Sequence, residues 1–263
     1  MMSKKIALSN SVMPPLHTLA ISFFFLLAWQ IVASSGLVSN YLLPTPGMVW
    51  NTAMVTWHSG LLPGHIAASL FRIALGFSLS VLTGVFMAGM VTRFSSLQKL
   101  LSAPFAFMRM TPPLALIPLL ILWLGIGGAI EITIIILASF FPVFLATRDG
   151  LCRVSEAHVE LARSLNLSPW TYVTRIAIPS AVPSIITGLR LAFGYSWRAL
   201  IGAELIAASS GLGYMIMDAQ EMQRTDEVFV GILAIGVMGW ILDALFSKGC
   251  GFFLRRRFPE IAE

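Results

Sequence analysis

Apolar residues run through this chain in long blocks separated by short polar stretches. Six windows stand out: Leu16–Val38, His65–Met90, Thr111–Leu124, Ile130–Ala146, Ser184–Ala207 and Val228–Phe246. A helix that crosses a bilayer needs about 20 apolar residues. The pattern therefore predicts an all-α fold, a polytopic membrane helix bundle of about six transmembrane helices. The third window is short and rich in proline. The longest polar stretch, from Thr147 to about Pro183, separates the fourth and fifth windows.

Composition sharpens this reading. Of 263 residues, 57% are hydrophobic and 11% charged, whereas soluble domains carry roughly a quarter charged residues. A disordered chain, a nucleic-acid-binding domain and an ordinary soluble enzyme are excluded. Six spans leave no room for a large soluble domain. The net charge of +5 matters through its placement. Lys4 and Lys5 precede the first span; Arg93, Lys99 and Arg109 lie between the second and third; Arg148, Arg153, Arg163 and Arg175 between the fourth and fifth; Lys248 and Arg255–Arg257 follow the last. With six spans all of these fall on one side, and the other side holds Arg224 alone among Asp218, Glu221, Asp226 and Glu227. Because cytoplasmic loops carry the excess of Lys and Arg, both termini are expected inside. The expected organisation is a cytoplasmic tail over residues 1–15, a transmembrane domain over 16–250 with a cytoplasmic loop at 152–180, and a basic cytoplasmic tail over 251–263. The first apolar stretch exceeds the about 7–15 residues of a signal-peptide core, so it reads as a retained anchor. Cys152 and Cys250 are too few for a disulfide framework and read as free thiols.

Within the spans, Gly76, Ser80, Gly84 and Ala88 recur at every fourth position, and Ala199, Ala203 and Ala207 repeat the device. Such faces let helix backbones approach closely. Pro104, Pro112, Pro113 and Pro118 crowd the third span. They make either a kinked packing helix or a broken helix beside a water-filled path. The ionisable residues inside spans are Arg72, Arg190 and Arg198, with Glu204 near the outer end of the fifth. Arg190 is placed to snorkel. Arg72 and Arg198 each lie roughly 10 Å from the outer end of their span at 1.5 Å per residue. They form either a structural pair with Glu204 or a positive lining for an anionic solute.

The polar loop has its own grammar. Ser155 is an N-cap, with Glu156 in the first turn where the helix dipole favours an anion. Val154, His158, Leu161 and Leu165 make one apolar stripe. Asn166 sits where a left-handed residue ends a helix. Ser168 and Pro169 restart a second helix as N-cap and first residue, which is expected to end before Pro179 and Pro183. Two short helices joined by a tight turn result. They lie either on lipid headgroups and their own bundle, or in the groove of a soluble partner.

This loop carries a resemblance. Glu160, Leu161 and Ala162, then Asn166, then Ile176, Ile178 and Pro179 match in spacing the E-A-A, three residues, G, nine residues, I-x-L-P signature of importer permeases of the ATP-binding-cassette class. Leu161, Asn166 and Ile178 depart from it in residue type. The segments LLPTPGMVW (Leu42–Trp50), SLFRIALGF (Ser69–Phe77), PLALIPLLILWLGIG (Pro113–Gly127) and Gly188–Ile216 resemble the nitrate, sulfonate and taurine branch of that family, most of all its aliphatic sulfonate permeases.

The resemblance implies a type I importer permease fold, like that of the methionine permease, in a bacterial inner membrane. It implies a homodimer, two cytoplasmic ATPase subunits and an extracytoplasmic solute-binding protein. The solute would be a small anion of sulfonate, taurine or nitrate type. The ATPase-docking residues would be Glu160, Leu161, Ala162, Leu165, Asn166, Ile176, Ile178 and Pro179, with Arg72, Arg198 and Glu204 on the substrate path. No G-x-x-x-x-G-K-[ST] loop is present, so ATP hydrolysis is expected on a partner chain, and no cofactor, metal or catalytic residue is expected here. The rival readings are an ion-coupled carrier, for which the spans offer few acids, an intramembrane enzyme, for which no G-x-S-x-G or H-E-x-x-H motif exists, and a purely structural membrane scaffold.

Overall fold

The computed structural model describes residues 16–257, and of these the backbone alone at 16–20, 22, 156–158, 255 and 257. The expected tail at 1–15 and the last residues of the basic tail lie outside the described residues. All regular structure among the described residues is helical.

The first helix, α1 (Leu16–Ser34), has 19 residues, about 28 Å at 1.5 Å per residue. Trp29 Nε1 donates to the Pro44 carbonyl at 3.0 Å, which folds the following loop back onto α1. A short helix α2 (Pro46–His58) begins with Thr45, whose hydroxyl accepts from the Met48 N–H, and with proline at its first position, the combination that leaves no orphan donor wasted. The long α3 (Leu61–Arg93) follows.

Next comes a broken element. Helix α4 (Ser95–Met110) and the pair formed by a 3₁₀ turn (Pro113–Leu116) and α5 (Ile117–Leu124) meet at 92°. The cause is local. Proline disfavours the helical region for the residue before it, and Thr111 (ψ 120) and Pro112 (ψ 126), each followed by proline, are extended. The third apolar window is thus one arm of a bent element whose other arm is α4.

Helix α6 (Gly128–Cys152) leads to α7 (Glu156–Ser164) and the single turn α8 (Pro169–Tyr172). The second loop helix does not end before Pro179. It passes through a π turn (Val173–Ala177) into α9 (Ile178–Ala207), which contains both Pro179 and Pro183. A π turn shifts the hydrogen-bond register, and here it falls directly ahead of Pro179, which has no N–H to donate. A tight turn then leads to α10 (Leu212–Glu221), and α11 (Thr225–Arg257) completes the chain. Among the described residues, α3, α6, the stretch containing α9 and α11 are each long and apolar enough to cross a membrane, the bent pair is a fifth when its two arms count as one span, and the apolar part of α1, Phe23–Ser34, is shorter than a span, against the six expected.

Helix α6 sits between α3 and α9. The small-residue ladder of α3 is buried along its length. A Cβ at Gly76 would lie 2.9 Å from Ile135, and one at Gly84 3.0 Å from Val143. The backbones of α3 and α6 therefore touch as the ladder predicts. Ala199, Ala203 and Ala207 pack with Ile117 and Leu120 of α5 and Ile130 and Ile134 of α6. One end of the bundle carries α2 and α10, the other α7 and α8.

Candidate functional site

At the α10 end, the chain leaving α9 turns sharply and starts a new helix. Three successive backbone N–H groups at that start have no carbonyl partner within the helix. Each is met by a side chain from another helix. Gly211 N–H donates to His65 Nδ1 (3.1 Å), Leu212 N–H to the Ser69 hydroxyl (2.9 Å) and Gly213 N–H to Glu204 (3.0 Å). The Glu204 carboxylate also places negative charge at the positive end of α10, where the helix dipole favours it. Ser69 in turn donates to that carboxylate, 2.9 Å from either oxygen.

Arg72 completes this buried cluster. Its Nη1 donates to Glu204 (2.8 Å) and to the Ser210 carbonyl (2.7 Å), and its Nη2 to the Ser210 hydroxyl (2.8 Å). Arg72 and Glu204 are 8% and 1% exposed, so a charge here is tolerable only when paired. Gly213 is obligatory: a Cβ there would lie 2.7 Å from the Ile201 carbonyl and 2.6 Å from Glu204 Cβ. A second carboxylate, Glu131 in the first turn of α6, is fully buried with its nearest oxygen 3.9 Å from Arg72 Nη2. Neither of its oxygens accepts a hydrogen bond.

Arg72 and Glu204 are thus brought together, and Arg198 is not with them. Arg198 stands on the exposed side of α9, with its guanidinium 5.6 Å from the Tyr195 ring centre. It lines an open cavity of about 500 Å³ bounded by the α4–α5 bend, α6 and α9. Arg109, which counted in the sequence only as loop charge, lines the same cavity.

At the opposite end, α7 begins after Ser155, whose carbonyl accepts from Val159 N–H (3.2 Å). It closes with Asn166 at φ +46°. Leu167 N–H donates to the Ala162 carbonyl and Asn166 N–H to the Arg163 carbonyl, both at 3.0 Å. This pair of bonds defines a Schellman turn. Ser168 then caps α8 by accepting from Thr171 N–H at 3.2 Å. Of the expected apolar stripe, Leu161 and Leu165 point away from the bundle, Val154 is half-buried, and the His158 side chain lies outside the described residues. Ala162 is the buried contact. Glu160, Asn166 and Ile178 are exposed, Ile176 and Pro179 half-buried, and Trp170 beside them is 76% exposed. The crook between α7 and α8 encloses about 490 Å³, lined in part by Ala162, Asn166 and Tyr172.

Sequence reasoning missed several members of the buried cluster. Glu131 sits one residue inside an apolar window, where an acid is itself the signal. Ser69 lies three residues before Arg72, on the same helix face. The Gly211–Leu212–Gly213 run after Glu204 signalled a tight helix start. His65 and Ser210 carry no local signal of their role.

Residues 80–255 match the family described as "Binding-protein-dependent transport system inner membrane component". The chain is 39% identical over 217 residues to a putative aliphatic sulfonates transport permease protein of Bacillus subtilis (strain 168), covering 82% of this chain and 78% of that one. It is 32% identical over 246 residues to a bicarbonate transport system permease protein of Synechocystis sp., covering 89% and 86%. Among solved structures, a crystal structure of an amino acid ABC transporter with histidines superposes with a TM-score of 0.62 at 21% identity, over 78% of this chain and 97% of that one. That likeness shows the fold.

Proposed function

The chain belongs to the binding-protein-dependent transport system inner membrane component family, and from that premise we propose that it moves a small anionic solute inward as a homodimer, driven by two ATPases that dock on its α7–α8 pair. It is the membrane-spanning permease subunit of an ATP-binding-cassette importer, and its partners include an ATPase and a solute-binding protein. ATP hydrolysis belongs to a separate subunit, and the ion-coupled and enzymatic readings fall away with that membership. The finer assignments are our reading. The α7–α8 end faces the cytoplasm of a bacterium, as do both termini, in line with the Lys and Arg distribution. ATP is bound only by the partner.

The observation that carries this reading is the capped, turn-locked pair of short helices whose apolar side chains point away from the bundle. Leu161 and Leu165 are 52% and 61% exposed. A nine-residue helix is marginal alone in water, and an apolar face turned outward asks for a groove to fill. We assign docking to Glu160, Leu161, Ala162, Leu165, Asn166, Ile176, Ile178 and Pro179. Closure of the ATPases on ATP would push on α7, and the unbroken run from α8 through the π turn into α9 would carry the motion into the bundle. Arg198 would face the solute. Arg72 and Glu204 would act beside the path, by holding α10 against α3 and α9.

Reconstitution with the cassette ATPase tests this. Glu160→Arg, and separately Leu161→Asp with Leu165→Asp, are expected to abolish ATPase co-purification and ATP-driven uptake while the permease still folds. Normal co-purification and uptake in both variants would overturn the docking role.

A further inference from the structure

The buried cluster at the α10 end holds one cation and two carboxylates, and it serves them unequally. Glu204 accepts from Arg72, Ser69 and the Gly213 N–H, whereas both oxygens of Glu131 are buried without a hydrogen-bond partner. The nearer of them stands 3.9 Å from Arg72 Nη2. That Nη2 donates to the Ser210 hydroxyl, and Nη1 is shared between Glu204 and the Ser210 carbonyl. A guanidinium swing of roughly 1 Å would bring Nη2 within charge-assisted hydrogen-bond reach of Glu131. The two alternatives are close to balance. Ser210 is half-buried, so water can take over its carbonyl and hydroxyl when Arg72 leaves. Glu131 is fully buried, and a desolvated carboxylate gains most from a cation. Arg72 and Glu131 also keep their spacing, because one turn on from each of them a Cβ at Gly76 would lie 2.9 Å from Ile135. Gly128, which opens α6, lies beside the same guanidinium, a Cβ there being 3.8 Å from Arg72 Nε. Two near-equal arrangements around one group are the condition for a bistable element.

We propose that Glu131 is a second seat for the Arg72 guanidinium, and that Arg72, by exchanging Ser210 for Glu131, unlatches the turn between α9 and α10 during transport. Glu204 is the common anchor, bound to Arg72 in both arrangements. Glu131 is a positioning residue that acts through Arg72 alone. This rests on the importer reading, which turns the α10 end to the outside, and it gives that end a turn that opens and closes with the transport cycle.

Deuterium exchange at residues 208–211 of the full-length chain in lipid nanodiscs reads the latch. ATP-driven ethanesulfonate uptake, in proteoliposomes with the ATPase and the binding protein, reads its use. Glu131→Met removes the second seat. Exchange at residues 208–211 should slow by about threefold or more, the scale of one hydrogen bond. The maximal uptake rate should fall by a similar factor, with the KM for uptake unchanged and the melting temperature not lowered. Glu131→Gln, which keeps an acceptor oxygen without the charge, should fall between. Ser210→Ala added to Glu131→Met weakens the first seat and should bring both rates back toward the parent. Unchanged or faster exchange in Glu131→Met, a lowered melting temperature or a chain that fails to fold, or a further loss of uptake when Ser210→Ala is added would overturn the proposal, since each marks Glu131 as a fixed structural group. A Glu131→Met chain that takes up solute at the parent's rate would sink the latch and leave the importer reading standing. A parent without ATP-driven uptake would sink that reading, while the exchange rates still decide whether Arg72 has two seats.

Discussion

Arg72 and Arg198 are the same residue on two helices of one bundle, and their surroundings could hardly differ more. Arg72 is held by three acceptors, a carboxylate, a backbone carbonyl and a hydroxyl, and it is 8% exposed. Arg198 touches a tyrosine ring and open space. Charge in a membrane protein is therefore not informative by itself. A satisfied arginine fastens helices, because losing its partner would strand a buried charge. An unsatisfied one keeps its interaction energy available for something that arrives. Glu204 and Glu131 repeat the contrast with opposite sign. Glu204 accepts from three groups, Arg72, Ser69 and the Gly213 N–H, whereas Glu131 accepts from none.

The contrast can be broken in five places. The largest effect is expected from Arg72→Leu, which leaves Glu204 buried without its cation: a loss of about 3–5 kcal/mol, read by thermal unfolding in nanodiscs. Gly213→Ala drives a methyl into the Ile201 carbonyl and Glu204 and should cost about 1–3 kcal/mol in the same assay. A double-mutant cycle between Arg72→Gln and Glu204→Gln should give a coupling energy of about 0.5–3 kcal/mol, whereas Arg198→Gln with Glu204→Gln should add to within about 0.5 kcal/mol. Glu131→Met keeps the volume and removes a buried carboxylate that accepts no hydrogen bond, while Arg72 keeps Glu204 as its close partner, so its melting temperature should hold or rise. Arg198→Gln should be smallest of all in stability, within about 0.5 kcal/mol of the parent, although its solute binding falls. If Arg198→Gln proved as destabilising as Arg72→Leu, the division between fastening and receiving arginines would be lost.

The legible parts of this molecule are those with local causes. Asn166 could be read as a helix stop because a left-handed residue is needed there and Asn tolerates it; the chain adopts φ +46° at that point. Ser168 and Pro169 start a helix in the sequence and in the structure. The proline cluster left a kinked and a broken helix open, and the 92° bend at Pro112 and Pro113 makes it the broken one. The same local reasoning failed at Pro179, because a π turn in the preceding residues lets a helix pass a proline that would otherwise end it. It also left the α7 stripe without a direction: which face of a surface helix meets the bundle depends on what lies beneath it, and that turned out to be Ala162 rather than Leu161 or Leu165.

The helix stop at Asn166, the start at Ser168 and the extended residues ahead of Pro112 and Pro113 follow from the order of residues alone, because backbone sterics act over a few neighbours. Which charges neutralise one another was decided only in three dimensions. Arg72 meets Glu204 across 132 positions and Ser210 across 138, and no periodicity reaches that far. The fold chose Arg72 for the fastening and left Arg198 and Arg109 facing an open cavity, because a guanidinium is held only by acceptors that tertiary packing carries to within hydrogen-bond reach.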